Sequence, residues 1–422
     1  MMDKGSGLHP QVLRGLQLRD LGRYPDAERA FREALGENPR DAFVLNQLAG
    51  CLYHEGERRP EALRAVSDAI ALEPEEAEHH VLRAFILCSM QRPVEGRAAA
   101  EQALRFDPYS SMSFCAQAQA DLQLERWADA EASARQSLAM DADNSIAANQ
   151  LAQALRLQNK AAENREHLSG LLERDPEDPF THANAGWAAL QGGSHRQAEI
   201  HFREALRLDP GYDHAREGLL NSFRARSWFY RAYLKYSFWM QRVGTGARWG
   251  VILGLYLAMQ VGRRIFTGPH AWIGVLVVVI YFLLVLWVWV AKPVGNFILL
   301  FDRSARHALR RPETTEAVVV GIGVFGGIAL FVVGQVFDWF APVLLGPALV
   351  AASFPLSLTF TNGSRTGSLL FGGLGALMIL AGIIVVLPIL PDGAAVFLYI
   401  GALIACLAST WLGNVPALRR EQ

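Results

Sequence analysis

Residues 31–41 read FREALGENPRD and residues 202–213 read FREALRLDPGYD, so one phrase stands near both ends of the first half of a 422-residue chain. Between them the ending returns as AIALEPEE, ALRFDPYS, SLAMDADN and LLERDPED. With Pro39, Pro74, Pro108, Ala142, Pro176 and Pro210 as phase marker, the steps are 35, 34, 34, 34 and 34 residues. A unit of that length cannot bury its apolar face alone, so six in succession imply helix-turn-helix pairs stacked into an array.

Small and large positions keep the same phase. Gly15, Ala49, Ala84, Ala118, Ala152 and Gly186 recur in the first helix, where a small side chain lets helices approach closely. Ala27, Ala62, Gly96, Ala130 and Ala198 recur in the second, followed four places on by Phe31, Val66, Ala100, Ala134 and Phe202. This pattern resembles the tetratricopeptide repeat over about half the chain. The departures are Ala142 in place of proline, Asn164 and Leu171 where small residues are usual, and one extra residue near Glu57 to Pro60. They weaken single units, the fifth above all, but not an array in which each unit packs on its neighbours.

The resemblance implies an all-α fold: a right-handed solenoid over residues 1–212 whose first helices line a concave groove for extended peptides or helices. In this phase the groove-facing residues are Arg19, Asn46, Tyr53, Phe85, Gln119, Asn149, Gln153, Arg156 and Trp187. Asn149, Gln153 and Arg156 share one helical face and offer donors to a peptide backbone or carboxylate; a plain solvated face explains them equally well. Trp187 is either a partner's anchor or packed on the helix that follows the array. Repeat proteins that grip the acidic tail of chaperones use a clamp of Lys, Asn and Arg, but the first unit offers Val12 and Leu16 there. His79 and His80 project about 100° apart on a helix and read as ordinary surface histidines, so no metal is expected.

Charge divides the chain. Residues 1–220 carry 24 Lys and Arg against 35 Asp and Glu, and the remainder carries 16 against 6, giving −11 and +10. An acidic repeat half argues against nucleic acid as partner. Cys51, Cys88, Cys115 and Cys406 lack paired spacing and read as small buried apolar residues. The N-terminal stretch MMDKGSGLHPQVLRGLQLRD has no apolar run suited to a signal peptide, so the repeats are expected in the cytosol.

The two halves meet at residues 213–248, which form a capping and interfacial junction helix. Its second part sets Trp228, Phe229, Tyr230, Tyr233, Tyr236, Phe238 and Trp239 among Arg224, Arg226, Arg231 and Lys235. Rings favour the headgroup level and bases the anionic cytoplasmic leaflet, so Arg224, Arg226, Trp228, Arg231, Lys235 and Trp239 are candidate membrane-interface residues. Beyond it, residues 249–412 read as a polytopic bundle with apolar runs at 249–267, 271–291, 317–337, 341–360, 368–390 and 394–412, and residues 413–422 as a short cytosolic tail. With six spans, cytosolic Lys and Arg outnumber the others 14 to 2; without the first, the tally is 8 to 8. The positive-inside rule therefore favours six spans with both termini cytoplasmic.

Arg303, Arg306, Arg310 and Arg311 in the loop after the second run are further interface candidates, for anionic lipid or for topology alone. No charge stands at the centre of a span, which argues against proton-driven transport. Ser353, Ser357 and Thr361 form a polar stripe suited to inter-helix hydrogen bonds, and Gly250 with Gly254 and Gly323 with Gly327 are spaced for close helix packing. No phosphate loop, zinc-protease or nucleophile-elbow motif occurs. No enzyme activity, cofactor or metal is therefore expected.

These readings converge on a multi-pass protein of a bacterial-type inner membrane, whose cytosolic repeats recruit a protein partner, for instance to assemble an envelope complex. The alternative is a transporter or channel whose repeats recruit or regulate. Membrane lipid contacts the second half, and the spans offer surfaces for self-association.

Overall fold

The computed structural model describes residues 9–243, residues 290–413 apart from 304, 361 and 388–390, and the single residues 250, 254, 257, 260, 261, 273, 276, 287 and 418. The apolar runs at 249–267 and 271–291, Thr361 and most of the tail lie outside the described residues. All regular structure among the described residues is helical. The chain divides into two compact units, one ending at Ala188 and the other beginning at Ala189.

The first unit holds α1 (Pro10–Asp20) and α2 (Tyr24–Glu37), α3 (Ala42–His54) and α4 (Arg59–Leu72), α5 (Ala77–Ser89) and α6 (Pro93–Phe106), α7 (Ser111–Gln123) and α8 (Trp127–Met140), α9 (Ser145–Leu157) and α10 (Ala161–Arg174), and most of α11 (Pro179–Gln191). The second helix of each pair stops for a local reason. A residue before proline is pushed out of the helical region, and Asn38, Glu73 and Asp107 have left it, with φ of −128°, −130° and −132°. Asp141 takes the same conformation, φ −143°, without a following proline. Its carboxylate accepts from the Asp143 backbone N–H at 3.2 Å, as Asp107 does from Tyr109 at 3.0 Å and Asp175 from Glu177 at 3.0 Å. The side chain thus makes the turn that proline makes elsewhere, which is why the fourth unit keeps its period.

The turn inside each pair is equally regular. Gly22, Gly56, Gln91, Glu125 and Asn159 all have φ between 60° and 71°, the left-handed residue that closes the first helix. Glycine fits there freely, while Gln91 and Glu125 accept about 1 kcal/mol of strain each. Four of the first helices that follow start on a side-chain cap: Asp41, Ser110, Asn144 and Asp178 accept from Val44, Ser113, Ala147 and Thr181 at 3.0–3.1 Å.

Packing follows the small and large phase. A Cβ on Gly15 would stand 2.5 Å from the Phe31 ring, so only glycine lets the ring close the first pair. The fifth pair is the thinnest: in α10 only Asn164 and Leu168 are buried. All four cysteines are free and buried, and burial pushes the thiols of Cys51 and Cys88 up to about 11. His79 and His80 are not surface residues: both are buried, because the His80 ring lies against Phe106 and its Nε2 meets the Pro74 carbonyl at 2.8 Å.

The second unit opens with α12 (His195–Leu208), α13 (Asp213–Arg224) and α14 (Trp228–Arg242). Gly218 of α13 repeats the close approach, its Cβ position lying 2.2 Å from the Phe202 ring. A short helix, Val290–Leu300, follows, and then three helices long and apolar enough to cross a membrane: Arg311–Phe337, Phe340–Phe360 and Arg365–Val386. The 311–337 helix starts six residues before the apolar run, since Pro312 suits a first turn and the Glu313 carboxylate accepts from the Arg310 N–H at 2.8 Å. A last helix, Asp392–Leu412, includes the apolar segment Gly393–Ser409.

Glycines set how closely these helices meet. A Cβ on Gly323 would lie 2.2 Å from Ser353 Oγ, one on Gly327 2.6 Å from the Gly346 carbonyl, and one on Gly346 2.5 Å from the Gly327 carbonyl. The Gly323 and Gly327 pair is thus a packing face, whereas Gly250 and Gly254 have no atom within 4 Å of such a Cβ among the described residues. Ser353 Oγ bonds its own helix at the Leu349 carbonyl, 2.9 Å away.

Candidate functional site

The first helices of the array carry the groove candidates. Arg19, Tyr53, Phe85, Gln119, Gln153 and Arg156 are half-buried, whereas Asn46 and Trp187 are buried, the indole at 8% exposure. Asn149 spends its amide inside the array. Its Nδ2 donates to Asp178 Oδ2 at 2.9 Å, and its Oδ1 accepts from Asn184 Nδ2 at 2.9 Å and Thr181 Oγ1 at 3.3 Å. Asn149 therefore ties the fifth repeat to the sixth. Arg19 likewise bonds Gln47, and Gln119 Oε1 accepts from Gln150 Nε2 at 3.4 Å.

A second set of contacts lies on the second helices, and the sequence reading missed it. Glu28 accepts from Arg32 Nε at 2.7 Å and from Arg58 Nη1, one repeat on, at 2.6 Å. Three repeats later Glu131 does the same with Arg135 at 3.0 Å and Lys160 at 2.6 Å. Burial raises the pKa of both carboxyls, but the hydrogen-bonded bases outweigh it and hold them below the ordinary glutamate value. The third repeat reverses the signs: Arg97 stands at this place and bonds Glu101 and, at 2.8 Å, the fully buried Asp121. The signal was available as an acid four residues before Arg in the first, fourth and sixth repeats and the mirror pair in the third.

In the second unit the same staple becomes a junction. Glu199 of α12 pairs with Arg203 at 2.8 Å and with Arg226 at 3.0 Å, so Arg226 stands to Glu199 as Arg58 stands to Glu28. Arg226 also bonds Asp302 and lies 4.9 Å over the Phe223 ring. Around it Arg216 meets Glu313 at 3.2 Å, Arg310 meets Asp213 at 2.6 Å and Lys292 meets Glu217 at 3.1 Å. A cavity of about 60 Å³ lies between Phe223, Arg226, Gly295, Leu299 and Asp302.

The centre of the junction is Arg224. Read as an interface residue, it is instead 2% exposed, which corrects that reading. Its Nε donates to Asn296 Oδ1 and its Nη1 to Asn221 Oδ1, both at 2.8 Å, and Tyr230 Oη donates to Asn221 Oδ1 at 2.7 Å. All its direct partners are neutral, and Glu217, Glu313 and Glu316 act on it from further away. Burial pushes the Tyr230 phenol up to about 12. The sequence did not single out Asn221 or Asn296.

The other interface candidates divide. Arg226 and Arg310 are exposed but paired, as above. Trp228 and Trp239 are 75% and 48% exposed, and Arg231, Lys235, Arg303, Arg306 and Arg311 are exposed too. Among the described residues no group of three His, Cys, Asp or Glu is placed to hold a metal ion.

Residues 12–57 and 115–179 match the tetratricopeptide repeat family. A tetratricopeptide repeat protein from Parabacteroides merdae is 15% identical, with 50% of this chain covering 81% of that one at a TM-score of 0.44. PilW, a type IV pilus biogenesis factor, is 18% identical (50% against 96%, TM-score 0.43). YrrB, a repeat protein with an unusual peptide-binding site, is 20% identical (44% against 95%, TM-score 0.33). No match was found among curated protein sequences. Within the first half of this chain, residues 12–57 and 115–179 are matched as tetratricopeptide repeats, and the helical pairs between them keep the same length.

Proposed function

We propose that the chain is a membrane-anchored scaffold: its repeats recruit a protein partner to the cytoplasmic face of a bacterial-type inner membrane, and its second half holds them there. The observation that carries this is the junction. Helices α12 to α14 share one compact unit with three helices long and apolar enough to cross a membrane. Ion pairs fasten α13 to the start of the 311–337 helix. Basic Arg310, Arg311 and Arg365 stand at one end of these helices and Asp338 at the other, which supports a cytoplasmic junction under the positive-inside rule. The partner-facing side is the groove, with Tyr53, Phe85, Gln119, Gln153 and Arg156 as its contacts.

Protease treatment of sealed membrane vesicles tests the anchoring. Digestion of the repeats in inside-out vesicles, with protection in right-side-out vesicles and retention through a carbonate wash, is the expected result. Release by carbonate, or the reverse protection, contradicts it.

A further inference from the structure

The bases of the junction fall into two classes. Arg216, Arg226, Arg310 and Lys292 are spent on carboxylates, and Arg224 is buried on neutral acceptors. Arg231 and Lys235 of α14 are exposed and make no ion pair among the described residues. They lie between the two exposed indoles, Trp228 and Trp239. At about 100° per residue these four lie within an arc of roughly 80°, spread over about 16 Å of helix. Tyr230, Leu234 and Phe238 form a separate, adjoining stripe that is buried. The helix therefore has one stripe committed to the protein and one left uncovered, with a ring at each end and two cations between.

We propose that this outer stripe of α14 binds the headgroups of anionic phospholipids, Arg231 and Lys235 meeting phosphates while Trp228 and Trp239 settle at the headgroup level. The inference rests on the membrane reading above and adds a lipid preference to it. Charge chooses the occupant. Two cationic stripes repel, which disfavours a second copy of this face. The residues that follow α14 run directly into the apolar stretch at 249–267, so the stripe lies on the chain's approach to hydrocarbon. Anionic headgroups offer both the charge and the depth that the rings require, with each base contributing about fivefold to binding at such a surface.

The test uses the full chain in nanodiscs of phosphatidylcholine alone and of phosphatidylcholine with phosphatidylglycerol, read by hydrogen exchange of the α14 amides. Exchange over residues 228–242 is expected to slow by about tenfold or more in the anionic discs. The effect should fade in high salt, vanish in an Arg231→Gln, Lys235→Gln double variant and survive Arg231→Lys. Equal exchange in both compositions by protein that has entered the discs overturns the lipid preference alone, as does an anionic effect that persists in the double variant. Failure to enter discs of either kind overturns the membrane reading and this inference with it.

Discussion

Replacing Asn296 by leucine is expected to destabilise the second unit by about 3 kcal/mol. The Asn296 amide oxygen is the partner of Arg224 Nε at 2.8 Å, and both residues are buried, Asn296 completely. A guanidinium stays charged under all ordinary conditions, so it cannot escape the loss by giving up a proton. Leucine fills the space but offers no acceptor to the guanidinium. Thermal unfolding of the detergent-solubilised chain should show a fall of about 10 °C. Arg224→Met placed on that background should recover part of the loss, because it removes the charge that Asn296 satisfied. A change within about 0.5 kcal/mol for Asn296→Leu would mean that Arg224 is hydrated, and that the junction is not the closed polar knot described.

The second large effect is expected where backbone meets backbone. Gly346→Ala adds one carbon that would stand 2.5 Å from the Gly327 carbonyl and 2.8 Å from the Phe331 nitrogen. Neither atom belongs to a flexible side chain, so the 340–360 helix must draw away from the 311–337 helix along its length. A loss of about 2–3 kcal/mol follows, at the upper end for overpacking. Gly373→Ala is the control, since nothing lies within 4 Å of its Cβ position and alanine is the better helix former. Equal unfolding temperatures for the two variants would show that the helices are not packed through Gly346.

The repeats were legible because the features that make them are local. A proline, or an aspartate such as Asp141 that turns the chain with its own carboxylate, ends each second helix and recurs every 34 or 35 residues. The left-handed turns were half legible: Gly22, Gly56 and Gly193 keep the period, but Gln91, Glu125 and Asn159 fill the same place with residues that do not announce it. Groove residues were harder, since an exposed polar row and a row tied to the next repeat have the same sequence pattern. Asn149 is of the second kind, a fact that depends on Asp178 and Asn184 in the neighbouring repeat.

The junction was the least legible part. Bases among rings suit a lipid surface whether or not each base faces it. Arg231 and Lys235 do face outward, but Arg224 turns inward because Asn296, 72 residues later, supplies an acceptor. Arg226 turns to Glu199 and Asp302 for a similar reason. Of these acceptors, residues 213–248 supply Asn221; Glu199, Asn296 and Asp302 lie on α12 and on the segment after residue 290.

Recruitment through the groove is the central claim, and site-specific photocrosslinking in living cells tests it most directly. The crosslinking residue is placed at Gln153, on the proposed groove face of α9, and in a second strain at Asp68, exposed on the second helix α4. A discrete adduct with another protein at Gln153, absent at Asp68, is the predicted result. No adduct at Gln153, or the same adduct at both positions, would contradict the account.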